Sequence, residues 1–471
     1  AGQTTTDGTI AIGKNALEDL TSGAGNTAVG YQAGLAIADD SYNTVIGYQA
    51  GSATIGDGNT YVGHFAGKGT SGADANNVGV GKDALTAITT GVENVCIGKD
   101  AGTAITTANQ TVLIGTDAGQ AITIAQSGFL SDGTVAIGLN ALKYCTTGHG
   151  NLAVGAHTLH NHTTGSRNMA IGYGAMNDTD AGTNTLASID NIFIGYDAGG
   201  GTWVETDSDS DSNYNVGIGN YVMDAAMDGA GSNTAVGHLS LSALTTGGSN
   251  TTVGSYAGDA ITTGGNNVCI GHQTGSQTNT LETGNQNVLI GDYAHTSAND
   301  SSNQIVIGFN LAAAGDNDFA FGKASNVVHN DFDADAAWSR ASDVRLKTNI
   351  SNATLGLDFV NDLRPVTYKW KSTQDLDESD SQLSKLLPKD VLDEDGKVVR
   401  AKDTIEHMNT DTTMHGLIAQ EVKEALDKAG IDTFKGWSQD DDGVQNISRE
   451  MFIIPLIKAV QELTAKVEAL E

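Results

Sequence analysis

A short phrase recurs through most of this 471-residue chain and limits what it can fold into. Residues 26–34 read Asn-Thr-Ala-Val-Gly-Tyr-Gln-Ala-Gly, and residues 43–51 repeat them almost unchanged. Most copies lie seventeen residues apart, and so short a fixed period is typical of a solenoid, in which each repeat forms one coil. The central glycines of the repeats are Gly13, Gly30, Gly47, Gly63, Gly81, Gly98, Gly115, Gly138, Gly155, Gly172, Gly195, Gly219, Gly237, Gly254, Gly271, Gly291, Gly308 and Gly322.

The content of one period predicts two short strands and two turns per coil. An apolar, mostly β-branched pair such as Val45-Ile46 precedes the glycine, and a second half such as residues 260–264 leads to the next Asn. Glycine and Asn supply the backbone that turns require, and we expect the stacked Asn side chains to hydrogen-bond along the rod. At about 4.8 Å per coil, eighteen coils would make a shaft of roughly 85 Å.

The apolar residues of each strand are adjacent in sequence, which indicates that both faces of the strand are buried. A coil of seventeen residues is too thin to bury both faces by itself, so we expect one face to fill the coil and the other to face sister chains. The fold class expected is therefore mainly β, a homotrimeric β-solenoid. Over residues 8–322 the phrase also resembles the head repeats of trimeric bacterial adhesins and the shafts of phage tail fibres.

Composition changes abruptly near residue 340. Up to Ala341 the chain has 8 Lys plus Arg, 31 Asp plus Glu, 54 of its 60 glycines and no proline, whereas all three prolines follow. We therefore expect a fibre shaft over residues 1–322, a linker over 323–341 and an α+β domain over 342–471.

Charge and hydropathy exclude two classes of partner. A net charge of −32 argues against nucleic-acid binding, which needs clustered Lys and Arg. There is no apolar run of eighteen residues, so we expect no membrane insertion. Cys96, Cys145 and Cys269 have no metal-ligand spacing and are expected to be small buried apolar residues.

The C-terminal 130 residues carry the most specific motifs. They are Ser342–Ile350 (Ser-Asp-Val-Arg-Leu-Lys-Thr-Asn-Ile), Leu363–Trp370, His415–Val422 and Met451–Lys458. In this order they resemble the intramolecular chaperone domain of endosialidases and phage tail spikes, the peptidase S74 family. The resemblance implies a domain that trimerises, aligns three shaft chains in register and then cuts itself off.

The same resemblance implies that the bond cut is Ala341-Ser342. Ser342 would be the nucleophile and Lys347 its general base, with Arg345 as a helper that lowers the pKa of the lysine or stabilises an oxyanion. The chemistry is sound, because a serine hydroxyl needs a neighbour to take its proton and lysine does so where burial or nearby cations lower its pKa. Self-cleavage is the one catalytic activity implied, and no cofactor is expected.

The last residues, 450–471, predict a helix that oligomerises. Apolar residues at alternating spacings of three and four form a heptad seam, and Pro455 fits near the helix start. The branched residues and leucines of the seam favour two strands by coiled-coil rules, whereas the family resemblance implies a trimer. The seam residues are Ile453, Leu456, Val460, Leu463, Val467 and Leu470.

Longer periods mark four places where loops are expected to project from the rod and bind a ligand. One of them carries Trp203, a candidate for stacking on a sugar. His160 and His162 are expected on one face of a strand, where a threefold axis would gather six imidazoles around a metal, although inert surface histidines explain them more simply. The four loops lie near residues 120–133, 177–190, 200–214 and 276–284.

Three function classes remain. The first is a viral structural protein, a trimeric phage tail fibre or spike in the virion. It would bind other tail or baseplate proteins and attach to a host receptor, with a glycan as one class of receptor. The second is a bacterial surface or injection-system fibre, extracellular or at the cell surface. The third, a polysaccharide-degrading tailspike, would need larger coils and paired carboxylates in an aromatic groove, and four Trp in thin coils do not provide them.

Overall fold

The structure is a computed structural model whose chain divides into two compact units, Ala1–Ala341 and Ser342–Glu471. For residues 339–340, 391–392 and 398–400 it describes the backbone alone. The described residues are 8–53, 55–69, 72, 74–123, 133–179, 188–203, 212–276, 280–324, 326–331, 339–340, 344, 347–371, 391–392, 398–400, 413–440 and 443–470.

The first unit is a β-solenoid in which one short strand of each coil pairs in parallel with the strand of the next coil. Thr27 lies opposite Thr44, and the phrase keeps this register from coil to coil. The strands are β1 Ile10–Ile12, β2 Thr27–Val29, β3 Thr44–Ile46, β4 Thr60–Val62, β5 Val78–Val80, β6 Val95–Ile97, β7 Val112–Ile114, β8 Val135–Ile137, β9 Leu152–Val154, β10 Met169–Ile171, β11 Ile192–Ile194, β12 Val216–Ile218, β13 Thr234–Val236, β14 Thr251–Val253, β15 Val268–Ile270, β16 Val288–Ile290 and β17 Ile305–Phe309.

The expectation of two strands per coil is wrong for the described coils, because the second half of the coil consists of turns. Its residues include left-handed backbones, as at Leu17 (φ 52°) and Gln32 (φ 53°), which interrupt an extended strand. Backbone hydrogen bonds still join this half to the next coil, as from the N–H of Gly34 to the carbonyl of Ala50 at 2.9 Å. The coils are therefore hydrogen-bonded to one another on both sides of the rod.

The central glycine is required by the closeness of neighbouring coils. At Gly98 the backbone has φ +141°, and an added Cβ would lie 2.3 Å from the carbonyl oxygen of Gly115. A side chain would both strain this backbone and overlap the next coil. This explains why glycine recurs at the same place in the phrase.

A ladder of buried Asn side chains runs along the rod, which confirms the expected hydrogen bonding. The N–H of Asn43 donates to Oδ1 of Asn26 at 2.9 Å, and the N–H of Asn59 donates to Oδ1 of Asn43 at 2.8 Å. The pattern continues through Asn77 and Asn94. Each Asn satisfies a backbone group that is buried between coils, where an unpaired donor is costly.

The middle residue of each strand from β2 to β16 fills the coil, whereas the third residue lies on the outward face. Val45, Cys96 and Cys269 are fully buried. Burial raises the pKa of both thiols, that of Cys269 to about 12, and Cys145 is buried as well, so all three cysteines are inert apolar residues as expected. The outward residues with 37% to 40% exposure are Ile46, Ile97, Ile137, Ile218, Val253, Ile270 and Ile307.

The unit ends in three strands: β18 Asp318–Lys323, β19 Asn326–Asp331 and β20 Ser339–Arg340. The strand β18 continues the parallel stack, and β19 and β20 then pair antiparallel with their predecessors. Residues 323–341, expected to be a linker, thus include strands of the first unit.

The second unit is a small α+β domain. Its elements are α1 Leu357–Asp362, β21 Val366–Tyr368, β22 Val391–Leu392, β23 Val398–Arg400, β24 Met414–Gly416, α2 Ala419–Ala429, β25 Trp437–Gln439, β26 Gln445–Ile447, a 3₁₀ turn Arg449–Phe452 and α3 Ile453–Glu468. The three strand pairs are antiparallel. Phe359 of α1 and Val422 and Leu426 of α2 are buried in its core.

Candidate functional site

The predicted cleavage site coincides with the boundary between the two compact units. The first ends at Ala341 and the second begins at Ser342. Ala341, Ser342 and Arg345 lie outside the described residues, so the pairing of Ser342 with Lys347 stays a prediction. Lys347 is described and exposed, and its backbone N–H donates to the carbonyl of Val344 at 3.1 Å.

The structure brings three of the four C-terminal motifs together. Strand β21 of the second motif pairs with β24 of the third, with Thr367 opposite His415. Phe452 of the fourth motif packs in the same apolar cluster as Leu363 of the second motif and Val422 of the third. Motifs far apart in sequence therefore form one core, on which α3 begins.

The helix α3 is held to the rest of its unit along one side. Pro455 and Ala459 are buried there. One turn further, Oε2 of Glu462 accepts a hydrogen bond from the N–H of Leu357 at 2.8 Å, and this bond is the main reason why the pKa of Glu462 lies below its usual value. At Gly356 an added Cβ would lie 2.4 Å from the same carboxylate, so glycine makes room for the contact.

The six predicted seam residues, five on α3 and Leu470 just beyond its end, are all exposed in the single chain. Ile453, Leu456, Val460, Leu463 and Val467 are 50% to 55% exposed, and Leu470 is 88% exposed. Ile454 and Ile457 are exposed too, by 56% and 48%, and the heptad pattern gave no reason to single them out. The helix thus presents more apolar surface than a seam alone.

The assignment of Trp203 to a sugar site is wrong. Its side chain is 1% exposed and packs edge-on against Phe193 at a centroid distance of 5.7 Å. Its indole Nε1 has no acceptor among the described residues. Trp203 fills the inside of its coil, where the neighbouring large ring of Phe193 gives it a partner, and it has no face free for a sugar.

The two candidate metal ligands do not share a strand face. Both histidines follow β9 in turn segments, and His162 is fully buried, with Nδ1 2.9 Å from Oγ1 of Thr179 and Nε2 3.2 Å from Nδ2 of Asn168. His160 is half-buried and packs against Tyr144 at 5.0 Å, and burial is the main cause that lowers its pKa. Among the residues that the structure describes, no cluster of three His, Cys, Asp or Glu has metal-binding geometry.

An exposed row of rings along the rod was missed by the sequence reasoning. Tyr173 stacks on Tyr196 with centroids 5.4 Å apart, and Tyr196 meets Tyr221 at 5.2 Å. Near the first coils Tyr31 stacks on Tyr48 at 5.2 Å. The signal in the sequence was an aromatic residue one or two places after the central glycine.

The middle parts of the four expected loops lie outside the described residues.

Comparison with known proteins identifies the second unit. Residues 342–431 match the family model of Peptidase S74, described as the chaperone of endosialidase. No curated protein and no solved structure matches the chain. No helix in the described part of the chain is long and apolar enough to cross a membrane.

The matched segment begins at the boundary between the two compact units. The unit that precedes it in sequence is the β-solenoid, whose coils mostly repeat every seventeen residues. The chain therefore carries a C-terminal chaperone domain of the Peptidase S74 family behind a β-solenoid, the organisation of a fibre or tailspike protein.

Proposed function

We propose that this protein is the homotrimeric shaft of a phage tail fibre or spike, which attaches the virion to a host cell. Its C-terminal unit is the chaperone that drives trimerisation and then cuts the chain at Ala341-Ser342. The observation that carries the proposal is the match of residues 342–431 to the endosialidase chaperone, next to a repetitive β-solenoid.

The exposed seam of α3 supports assembly through this helix. Its six apolar side chains are at least half exposed in the single chain. Complete burial of a side chain of this size contributes about 1.5 to 3 kcal/mol, so covering the half that is still exposed favours association of three seams. Coiled-coil rules for branched residues and leucines alone favour two strands, and the trimer rests on the family match.

The shaft supports the same assembly. Parallel sheets are normally covered on both faces, whereas one face of this sheet fills the coil and the other exposes a row of aliphatic residues such as Ile46 and Ile97. Sister chains that pack along this row would cover it. The apolar row extends through most coils, so the contact would run along the shaft.

Self-cleavage follows assembly in this proposal. The hydroxyl oxygen of Ser342 attacks the carbonyl carbon of Ala341, Lys347 takes the hydroxyl proton and gives it to the backbone amine of Ser342 as the peptide C–N bond breaks, and Arg345 assists. This leaves an ester between Ala341 and the Ser342 oxygen, which a water molecule hydrolyses to free the Ala341 carboxyl group and the Ser342 hydroxyl. A lysine acts as a base where burial or a nearby cation lowers its pKa, and Lys347 is exposed in the single chain. The assembled trimer would supply the enclosed surroundings that the reaction needs.

Host attachment is the purpose of such a shaft. The exposed ring row and the four loops are the surfaces offered to a host receptor, with a glycan as one class of ligand. The N-terminal coils of the shaft would join other tail or baseplate proteins. In this proposal the protein resides in the tail fibre of the virion.

The experiment that tests the proposal compares the wild-type chain with Ser342→Ala. We expect the wild type to give a fragment that begins at Ser342 by intact mass, while the variant stays whole and both sediment as trimers. If both chains stay whole as trimers, the catalytic assignment is wrong and the unit is a permanent trimerisation cap. If neither forms a trimer, the fibre function is wrong.

A further inference from the structure

Two exposed isoleucines on α3 lie outside the heptad seam. In an α-helix each residue advances by about 100° around the axis. The helix is held to its own unit by Phe452, Pro455, Ala459 and Glu462. Each of these residues is followed directly in sequence by one of the first four seam residues, which are Ile453, Leu456, Val460 and Leu463. The seam is therefore turned by about 100° from the side that faces the unit.

Ile454 and Ile457 follow the seam by one further residue. They lie about 200° from the side that faces the unit, which is nearly opposite to it. The globular part of their own unit cannot cover them, and they are 56% and 48% exposed although both side chains are apolar. The seam thus separates two flanks of α3, one occupied by its own unit and one apolar and uncovered.

We infer that Ile454 and Ile457 dock against the globular part of the chaperone unit of a neighbouring copy of this chain. The inference rests on the proposed trimer. When the seams of three helices meet around one axis, each helix has its own globular part on one flank, and the neighbour's globular part comes to the other flank. The contact is head-to-tail, and a rotation of this kind closes into a ring.

Two further observations support this occupant. The apolar flank is confined to the first two turns, because Gln461, Thr464 and Glu468 continue the same side of the helix. Those two turns lie beside Phe452, Pro455 and Ala459, so they are at the level where a globular part is present. The globular part also offers apolar surface to receive them, since Trp370 and Met451 are 41% and 42% exposed.

The test uses the full chain with Ser342→Ala, so that the units stay joined. In this background Ile454→Ser/Ile457→Ser is compared with Gln461→Ser/Thr464→Ser, which changes the polar part of the same side, and with the seam variant Val460→Ser/Leu463→Ser. Each chain is refolded from denaturant over a range of concentrations, and the trimer fraction is measured by sedimentation velocity. Circular dichroism at the lowest concentration reports whether the helices still form.

We expect the double isoleucine variant to raise the concentration needed for half-maximal trimer at least about tenfold, because two buried isoleucines lose their apolar contact. The polar control should assemble like its parent. If the isoleucine variant assembles like its parent while the seam variant does not, the inference is overturned and the proposed trimer stands. A parent chain that stays monomeric would overturn both.

Discussion

The shaft and the chaperone unit are stabilised in opposite ways. In the shaft the same contact recurs in coil after coil, as when the N–H of Asn250 meets Oδ1 of Asn233 at 2.9 Å and the N–H of Asn267 meets Oδ1 of Asn250 at 3.0 Å. In the chaperone unit each contact occurs once, as between Leu357 and Glu462. Repeated contacts stabilise a rod, but they do not distinguish one coil from the next.

This difference explains why a chain of this kind would need a helper. Three shafts shifted by one period would make almost the same contacts, so their energies differ little and the register is weakly specified. A unit with unique contacts at the end of the chain fixes one register. If the unit is then cut away, as proposed above, the folded shaft loses the part that set its register, and the lifetime of the folded shaft is governed by its unfolding rate.

The largest effect is expected at a central glycine. Gly98→Ala places a methyl group 2.3 Å from the carbonyl oxygen of Gly115, on a backbone with φ +141°. We expect a loss of at least about 3 kcal/mol, since overlap and backbone strain add. The free energy of unfolding is measured by guanidinium titration with circular dichroism.

A central glycine in a distant coil should respond in the same way. Gly254→Ala meets the carbonyl oxygen of Gly271 at the same 2.3 Å, so it should cost the same as Gly98→Ala. Gly315→Ala is the control, because an added Cβ there has no atom within 4 Å. Unequal losses at the two central glycines would contradict the view that the coils are equivalent.

The next largest effect is expected in the Asn ladder. The Nδ2 of Asn250 donates to the carbonyl of Gly264 at 2.9 Å, and its Oδ1 accepts from the N–H of Asn267. The side chain of Asn250 is fully buried. Asn250→Ala leaves these groups unpaired at a cost of about 1 to 3 kcal/mol. Denaturant unfolding should show this loss and almost none for the exposed Asn299→Ala. Equal effects would mean that water satisfies the ladder.

Some features were predictable from sequence because a repeat shows them many times over. The period, the central glycines and the Asn ladder recur in most coils. The left-handed backbone at Leu17 was not predictable, since leucine gives no sign of it, and it is one reason why two strands were expected. The burial of Trp203 depends on the ring of Phe193, and the second apolar flank at Ile457 lies outside a heptad template.

A smaller effect is expected at Asp74, where the shaft buries a carboxyl group beside the phenol of Tyr61. Burial is the main cause that raises the pKa of Asp74 above 3.8, although Tyr61 donates to Oδ2 at 2.6 Å. The folded state therefore holds the proton more tightly than the unfolded state. The stabilising contribution is complete below pH 3.8 and is lost as pH rises through the raised value.

Asp74→Asn should remove this pH dependence and raise the free energy of unfolding at pH 7. The amide keeps an acceptor for the N–H of Gly56, and the Tyr61 hydroxyl can turn to Oδ1 of Asn59 at 3.4 Å. Guanidinium titrations at pH 3.5 and pH 7 measure the difference, with the exposed Asp300→Asn as control. A variant that is less stable than the wild type at pH 7 would show that the carboxylate is satisfied by its partners.

The smallest effect is expected at Glu462, which joins α3 to the N-terminus of α1 through one hydrogen bond. That bond lowers the pKa of the carboxyl group, so its contribution is present above pH 4.5 and is lost as pH falls through the lowered value. Glu462→Ala should speed amide exchange at Leu357 at pH 7, while Glu462→Gln keeps an acceptor and should change it less. Exchange is followed by mass spectrometry on the peptide that contains residues 353–360, with Glu468→Ala as control. Among the described residues this contact occurs once, so its loss should affect only the chaperone unit. A shaft contact, in contrast, has equivalents in neighbouring coils, so the same substitution can be tested at several coils.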